Sequence, residues 1–296
     1  MKKHHLLKVT GIVALLTLAA CDSEDSEDAT ATNEADEPAS GDAESSNDEE
    51  ASNLEGTVTI SGSTSVQPIS EELAVPFMEE NPDTRIEVSG GGSGAGVTAA
   101  QQGASDFGAV SREIAEDETG IEEYVIALDG IAIIVHPDNA LSELALEDVT
   151  DIFSGEVTNW SEIGGDDTDI VVVSREDGSG TRDAFTDIVL GDDELIDTAL
   201  IQNTTGGVAE SVANDPNAVG YMSTGSMSDS VQGLNIDGAE PTDENIRSGE
   251  YPVSRPFNYV SNEDEPLSEV AQAFLDFILG DDGQQVVEDN GFISVD

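Results

Sequence analysis

The sequence predicts an α/β fold, and three features of the chain indicate it. From Gly56 onward, short β-rich runs alternate with helical stretches, an order typical of a mostly parallel sheet with helices on both faces. Ile170–Ser174 (IVVVS) is apolar on both faces, as expected of a fully buried parallel strand. Leu267–Leu279 carries its apolar residues on one stripe, which is typical of a helix packed on a core.

The other elements are predicted from the same alternation, in chain order. Strands are predicted over Thr57–Ser61, Arg85–Ser89, Asp106–Ser111, Tyr124–Leu128 and Ile131–His136. Helices are predicted over Ser70–Glu80, Gly96–Gln102, Ala145–Phe153, Thr181–Leu190 and Gly207–Ala213. The sequence shows no repeat with a period of 20–50 residues, which excludes solenoids and propellers.

The charge balance excludes two classes of partner. The 296 residues include 64 Asp and Glu but nine Lys and Arg, for a net charge of −55. The chain therefore lacks the basic face that nucleic acids or anionic lipids require. After Cys21 it has six Arg and no Lys. This composition is typical of adaptation to molar salt, where a Debye length of about 3 Å screens exposed carboxylates. A surface evolved for a cationic partner is the alternative.

The N-terminus predicts export and a lipid anchor. A basic segment, Met1–Lys8, precedes the apolar run Gly11–Ala20, so residues 1–20 are predicted to be a signal peptide. Leu18–Cys21 (LAAC) resembles the lipobox of exported lipoproteins, which makes Cys21 the predicted lipidation site at the outer face of the cytoplasmic membrane. Residues 22–55 include 14 acidic residues and almost no large apolar side chain, so residues 21–55 are predicted to form a disordered acidic tether.

Three junctions of one kind suggest an anion site. At Ser61–Ser65 (SGSTS), Gly90–Gly94 (GGGSG) and Asp177–Thr181 (DGSGT), a predicted strand leads through a Gly/Ser/Thr loop into a predicted helix. Helix N-termini attract anions through free N–H groups and the helix dipole. Ser and Thr also cap helices routinely, so one such loop alone would carry little weight.

Competing motifs fit poorly. Gly90–Ala95 matches the dinucleotide pattern GxGxx[GA], but it lies deep in the chain and single matches are common by chance. The P-loop pattern GxxxxGK[ST] does not occur in the sequence, and His136 is the only histidine beyond the signal peptide. One Cys excludes an internal disulfide and any Cys-based metal site. We therefore predict no metal, no cofactor and no enzymatic activity.

Two of the scarce arginines lie beside these loops. Arg175 precedes the third loop, and Arg112 directly follows Ser111. A guanidinium group pairs bidentately with a tetrahedral oxyanion. A surface ion pair is the alternative role for each arginine, and Arg175 is the stronger candidate for anion binding.

Taken together, the motifs resemble those of the PstS family, the phosphate-binding lipoproteins of phosphate ABC importers. The resemblance runs from Gly56 to the C-terminus. The stretches that carry it are Gly62–Pro68, Gly92–Gly96, Asp106–Arg112, Asp151–Trp160, Asp177–Thr181, Ala218–Tyr221 and Gly283–Phe292. It implies a two-lobed periplasmic-binding-protein-like fold of type II, with the ligand in the interlobe cleft. Lobe I would comprise residues 56–128 and 254–296, and lobe II residues 129–253.

The resemblance also implies a function and a set of binding residues. The protein would be a monomeric extracytoplasmic receptor that captures inorganic phosphate and delivers it to the membrane permease subunits of an ABC importer. The implied phosphate-binding residues are Thr64, Ser65, Ser93, Ser111, Arg175, Ser179, Gly180 and Thr181. Ser63 and Arg112 are further candidates, and Asp177 would hold Arg175 in position.

One departure from the family leaves selectivity open. Some members have an aspartate that accepts the phosphate proton where this chain has Ser111. Binding of another tetrahedral oxyanion such as sulfate therefore remains an alternative. A phosphate-ester hydrolase and a phosphate sensor that does not deliver its ligand are the alternatives from other classes.

Overall fold

A mixed sheet with helices on both faces organises residues 54–295, the part of the chain that this computed structural model describes. The predicted signal peptide, Cys21 and all but the last two residues of the predicted tether lie outside the described residues. Within residues 54–295, no helix has both the length and the apolar character needed to span a membrane.

The strands and helices follow one another in the alternation predicted from the sequence. The strands are β1 (Gly56–Gly62), β2 (Thr84–Gly90), β3 (Phe107–Val110), β4 (Ile121–Val135), β5 (Glu143–Leu144), β6 (Val171–Arg175), β7 (Leu200–Gln202), β8 (Ala218–Ser223), β9 (Gln232–Gly233), β10 (Asn235–Ile236) and β11 (Ser254–Asn262). The helices are α1 (Gln67–Glu80), α2 (Ser93–Gln101), α3 (Leu146–Ser154), α4 (Gly180–Phe185), α5 (Thr205–Asn214), α6 (Asp243–Ser248), α7 (Glu269–Leu279) and α8 (Asp281–Asp289).

The large sheet is parallel toward its two ends and antiparallel in its middle. Its strand order is β2-β1-β3-β11-β4-β8-β6-β7. The pairs β1–β2, β1–β3, β6–β7 and β6–β8 are parallel. Strands β4 and β11 pair antiparallel with each other and with their neighbours. The sheet is therefore mixed, whereas the sequence predicted mostly parallel pairing, because the long strands that link its two ends reverse direction.

Two lobes are distinguished by their hydrophobic cores. The first core packs β1, β3 and the first part of β4 against α1, α7 and α8. The second core packs the last part of β4, with β6 and β8, against α3 and α4. A smaller cluster packs α5 on the opposite face of the second lobe's sheet, and another packs α2 on the opposite face of the first lobe's sheet. Each lobe thus has helices on both faces, as predicted.

One boundary prediction is wrong. Tyr124–Leu128 and Ile131–His136 were expected to be separate strands, but β4 runs unbroken from Ile121 to Val135. The intervening Asp129–Gly130 pair reads as a turn signal. Asp129 is instead fully buried and forms an ion pair with Arg255 on β11, so the strand continues through it.

Several other elements differ from the expectations. Helix α2 begins at Ser93, three residues before its predicted start. The predicted helix Thr181–Leu190 is split into α4 and a π-helical turn over Thr186–Leu190. Strand β11 is absent from the predicted elements; it contains Pro256, and proline usually argues against a strand paired on both sides.

Candidate functional site

Four loops, each following a strand, come together where the two lobes meet. The loops after β1, β2 and β6 lead into α1, α2 and α4, and Ser111 follows β3. Because β1, β2 and β3 are mutually parallel, the loops that follow these three strands leave the same edge of the first lobe. The backbone N–H of Gly94 donates to the carbonyl of Gly178 at 3.2 Å, so the first lobe's second loop contacts the second lobe. Carboxyl ends of strands are where α/β folds bind ligands.

Glycine at position 92 permits this close approach. Gly92 has a φ of +89°, and a Cβ there would lie 2.8 Å from the carbonyl oxygen of Gly178. Only a residue without a side chain fits this backbone conformation without strain. The α2 N-terminus can therefore be held directly against the second lobe.

A first group of buried hydroxyls comes from the first lobe. Ser63, Ser93 and Ser111 are all at most 4% exposed. Ser63 Oγ donates to Ser111 Oγ at 2.8 Å, and the Ser111 backbone N–H donates to Ser93 Oγ at 3.1 Å. Ser63 Oγ also accepts from the Ser65 N–H at 3.1 Å, which orders the loop that precedes α1.

A second group joins the two lobes. Ser65 Oγ lies 2.8 Å from Thr181 Oγ1 and 2.8 Å from Thr205 Oγ1. Thr64 Oγ1 lies 3.3 Å from Thr205 Oγ1 and accepts from the Thr205 backbone N–H at 3.3 Å. Thr64 and Ser65 belong to the first lobe and Thr181 and Thr205 to the second, so these hydroxyls meet only where the lobes meet.

Arg175 closes this second group. Its Nη1 donates to Thr205 Oγ1 at 3.3 Å, and its Nη2 donates to Thr64 Oγ1 at 3.1 Å. Its side chain is 2% exposed. The end of the guanidinium that carries both Nη atoms therefore faces the hydroxyl groups, in the arrangement that suits a bidentate oxyanion.

The carboxylate that holds Arg175 is Glu176, which corrects the prediction for Asp177. Glu176 accepts from Arg175 Nε and Nη2, both at 2.9 Å. Asp177 points to solvent and pairs with Arg182 at 2.7 Å. Arg182 in turn donates to the carbonyl of Arg175 at 3.1 Å. The loop path after β6 turns Asp177 outward, so it reaches Arg175 only through Arg182.

Tyr221 fixes the backbone beneath Arg175. Its hydroxyl accepts from the Arg175 N–H at 3.3 Å and lies 2.7 Å from Ser174 Oγ. Its ring stacks on Phe185 of α4, with centroids 4.1 Å apart. Burial raises the pKa of Tyr221, which keeps this hydroxyl neutral.

The start of α4 packs directly against the first group of hydroxyls. Ser179 caps the helix by accepting from the Arg182 N–H at 3.3 Å. A Cβ on Gly180 would overlap Ser93 Oγ and lie 2.8 Å from Ser111 Oγ. Gly180 and Thr181 are the first residues of α4, so their N–H groups have no acceptor within the helix. These N–H groups are available to an anion.

Arg112 joins the lobes through ion pairs, and its side chain contacts neither of the two groups of hydroxyls. This corrects the prediction that Arg112 is a candidate phosphate-binding residue. Its Nη2 lies 2.7 Å from Glu118 in the first lobe, and its Nε lies 3.0 Å from Asp183 in the second. The hydrogen bonds with Arg112 lower the pKa of Glu118. Burial raises the pKa of Asp183, and Arg112 opposes that shift.

A buried ion pair lies under the site, on the strands that link the lobes. Arg255 Nη2 and Asp129 Oδ2 are 3.0 Å apart, and both side chains are almost completely buried. Arg255 Nη1 also donates to the carbonyl of Ser111 at 2.9 Å. Ser223 and Thr224 donate to Asp129 Oδ1. Burial raises the pKa of Asp129, and the charge of Arg255 opposes the shift.

Hydrogen-bond donors dominate the arrangement as a whole. Guanidinium N–H groups, helix N-terminal N–H groups and hydroxyls converge, while the Glu176 carboxylate faces the guanidinium. Such a set matches a small oxyanion. Within residues 54–295 no cluster of three or more His, Cys, Asp or Glu side chains could hold a metal ion.

The structure thus assembles most of the predicted binding residues. Thr64, Ser65, Arg175 and Thr181 meet in the second group, Ser63, Ser93 and Ser111 meet in the first, and Ser179 and Gly180 form the start of α4 beside them. Sequence reasoning missed Thr205, Glu176, Arg182 and Tyr221. For Thr205 a signal existed: Thr204–Gly207 (TTGG) is a further strand-to-helix loop of the same composition.

Known proteins resemble this chain in sequence and in structure. Residues 23–282 match the family model of the PBP superfamily domain. The phosphate-binding protein PstS of Bacillus subtilis is 35% identical over 241 residues, which is 79% of each chain. A structure described as a phosphate ABC transporter substrate-binding protein from Clostridium perfringens, with bound phosphate, is 43% identical with a TM-score of 0.79, covering 81% of this chain and all of that one. An ABC-type phosphate transport receptor from Vibrio cholerae is 33% identical with a TM-score of 0.68 over the same shares.

Proposed function

The chain belongs to the PstS family of phosphate-binding proteins, and we propose that it captures inorganic phosphate between its two lobes for an ABC importer. The family membership confirms the resemblance predicted from the motifs. The relatives' names describe binding and transport proteins, so the function is ligand capture rather than catalysis.

The observation that carries the proposal is that the Arg175 guanidinium pairs with a carboxylate on one side and faces hydroxyls from both lobes on the other. One side of the group is neutralised by Glu176, while its Nη1 and Nη2 atoms face hydroxyls from both lobes. A phosphate there would accept from Arg175 and from the N–H groups of Gly180 and Thr181. First-lobe hydroxyls, Ser65 among them, would complete its shell.

Short-range donors are what a protein of this charge requires. At −55, the chain repels a divalent anion over any distance that salt leaves unscreened. Hydrogen bonds to a charged group contribute about 1.5–3 kcal/mol each, and burial between the lobes removes competing water. Affinity therefore comes from closing the lobes on the anion rather than from long-range attraction.

The lobes proposed for this motion comprise residues 56–128 with 254–296, and residues 129–253. The separate cores on either side of Asp129 and Arg255 support these boundaries. The buried Asp129–Arg255 pair lies where β4 and β11 pass from one lobe to the other, at matched positions of the two strands. It would keep these connections in register while the lobes move.

The cellular setting is part of the same proposal. Signal peptidase would release residues 1–20, and Cys21 would carry the lipid that anchors the protein outside the cytoplasmic membrane. As a monomer, it would present closed lobes to the membrane permease subunits. In the described residues each of the six arginines lies beside a carboxylate, leaving a large excess of acidic side chains. That excess supports adaptation to molar salt.

Selectivity for phosphate over sulfate would involve Ser111. Its Oγ accepts from Ser63, and a hydroxyl retains one more lone pair and its own donor. That lone pair could accept the proton that phosphate carries and sulfate lacks. Ser111→Ala should then weaken phosphate binding more than sulfate binding, as measured by calorimetry with both anions. Equal losses would make Ser111 a plain donor.

Calorimetric titration of phosphate in about 2–3 M KCl, where exposed charges are screened, tests the proposal. Arg175→Ala should weaken binding at least about tenfold. Arg175→Lys should recover little, because an ammonium lacks the planar fork. Arg85→Ala is the matched control, since Arg85 lies in an exposed pair with Glu87 and should not affect affinity. Parent-like binding by Arg175→Ala would contradict the site.

A further inference from the structure

A fourth strand-to-helix junction reaches the site, and no sequence motif assigned it there. Strand β7 pairs in parallel with β6, so the loop that follows it leaves the same edge as the loop that follows Arg175. This loop leads into the ten-residue helix α5, whose first residue is Thr205. The second lobe therefore directs two helix N-termini, those of α4 and α5, toward the first lobe.

Thr205 contacts three of the residues predicted to bind the anion. Its Oγ1 lies 2.8 Å from Ser65 Oγ and 3.3 Å from Thr64 Oγ1, and it accepts from Arg175 Nη1 at 3.3 Å. Its backbone N–H points to Thr64 Oγ1 at 3.3 Å. The residue is 5% exposed, although the preceding Thr204 is exposed.

The two neighbouring threonines have different tasks. Thr204 is the N-cap of α5, and its Oγ1 accepts from the Gly207 N–H at 3.0 Å. Thr205 is not needed as a cap, so its hydroxyl and N–H remain directed at the first lobe. A buried hydroxyl beside a guanidinium and at a helix N-terminus is suited to donate to an anionic oxygen.

We propose that Thr205 is a direct phosphate ligand that donates through its hydroxyl and its backbone N–H. The inference rests on the proposed function and adds a second-lobe binding residue on a helix other than α4. When phosphate binds, one of its oxygens takes the place of the Thr64 and Ser65 hydroxyls as the acceptor of both Thr205 groups. The anion is then held by Arg175 between two helix N-termini.

Phosphate titrations of four proteins in molar KCl test this assignment. Thr205→Val keeps the side-chain shape but removes the hydroxyl, and it should weaken phosphate binding at least about tenfold. Thr205→Ser restores a hydroxyl and should recover most of that loss. Thr204→Ala removes the cap and should lower the melting temperature of the ligand-free protein while leaving phosphate affinity within about twofold of the parent protein. The parent protein is the fourth.

The outcomes separate the inference from the proposed function. If the folded parent does not bind phosphate, the proposed function fails and the inference fails with it. If the parent binds but Thr205→Val matches it, only the inference fails. Equal affinity losses in Thr204→Ala and Thr205→Val would reduce Thr205 to a structural role. Should Thr205→Val not fold, a parent crystal structure with phosphate decides: an oxygen within about 3.2 Å of Thr205 Oγ1 supports the assignment, and a longer separation overturns it.

Discussion

Replacing Gly180 with alanine should block closure of the lobes and thereby weaken phosphate binding. A Cβ at this position would overlap Ser93 Oγ and lie 2.8 Å from both Ser93 Cβ and Ser111 Oγ. Ser93 is the first residue of α2, is fully buried, and accepts from the Ser111 N–H. Both serines are fully buried, so an added methyl group would have to displace packed atoms.

The expected loss of phosphate affinity depends on whether the clash occurs with the lobes in contact or apart. Overpacking a tight contact costs about 1–3 kcal/mol. Gly180 and Ser93 belong to different lobes, so this cost falls on the arrangement in which the lobes meet. If phosphate binds between the lobes, as proposed, the cost appears in the dissociation constant as a loss of affinity of about 5- to 150-fold. The melting temperature of the ligand-free protein should change little.

Calorimetry and thermal unfolding in molar KCl would measure both quantities, and Gly206→Ala is the matched control. Gly206 also lies in the first turn of a second-lobe helix, but nothing lies within 4 Å of an added Cβ. Its affinity should equal that of the parent. In a Ser93→Gly background, Gly180→Ala should cost less affinity than in the parent, since the contacting side chain is gone. A Gly180→Ala protein that binds phosphate within twofold of the parent would refute the reasoning.

Three further predictions concern ion pairs, salt and tyrosines. Asp183→Asn removes the interlobe partner of Arg112 and should weaken phosphate binding about two- to fivefold. Glu118→Gln removes the partner of Arg112 within the first lobe and should lower the melting temperature rather than the phosphate affinity. Equal affinity losses in the two variants would contradict this division. Lowering KCl below about 1 M should unfold the protein cooperatively, because carboxylate repulsion is no longer screened, and an unchanged circular dichroism spectrum in dilute buffer would exclude salt adaptation. Burial raises the pKa of all four tyrosines, Tyr124, Tyr221, Tyr251 and Tyr259. The stability that these tyrosines contribute is therefore complete below a pH of about 10 and is lost as the pH rises through their raised folded-state pKa values. Tyrosinate absorbance that rises before the ellipticity changes would contradict this prediction.

The parts of the site predicted from sequence are those that local chemistry determines. Gly, Ser and Thr between a strand and a helix identify a helix N-terminus wherever they occur. Parallel strands bring the first-lobe loops to one edge, and the contact between the lobes adds the loop after β6. This is why the three loops were predicted to be anion-binding helix starts from their composition, whereas the individual binding residues within them are what the family resemblance implies.

The parts that sequence could not provide depend on tertiary contacts. Arg175 is followed by two acidic residues, and only the path of the chain after β6 makes Glu176 its partner. Arg112 pairs with Asp183, which lies 71 positions away in the sequence. The Thr and Gly residues around Thr205 were a visible signal, but the strand before them has three residues, too few for periodicity to show that a strand leads into this helix. Strand β11 is long enough, at nine residues, but Pro256 contradicts the pattern of a central strand.

The most direct test of phosphate capture between the lobes is a crystal structure of the protein with arsenate, a heavier tetrahedral analogue located by its anomalous scattering. A single arsenic peak between Ser65 and Thr181 is expected, with oxygens within about 3.2 Å of Arg175 Nη1 and Nη2 and of the Gly180 and Thr181 N–H groups. An anomalous peak elsewhere on the molecule, with Arg175 still bonded to the Thr64 and Thr205 hydroxyls, would contradict the central claim.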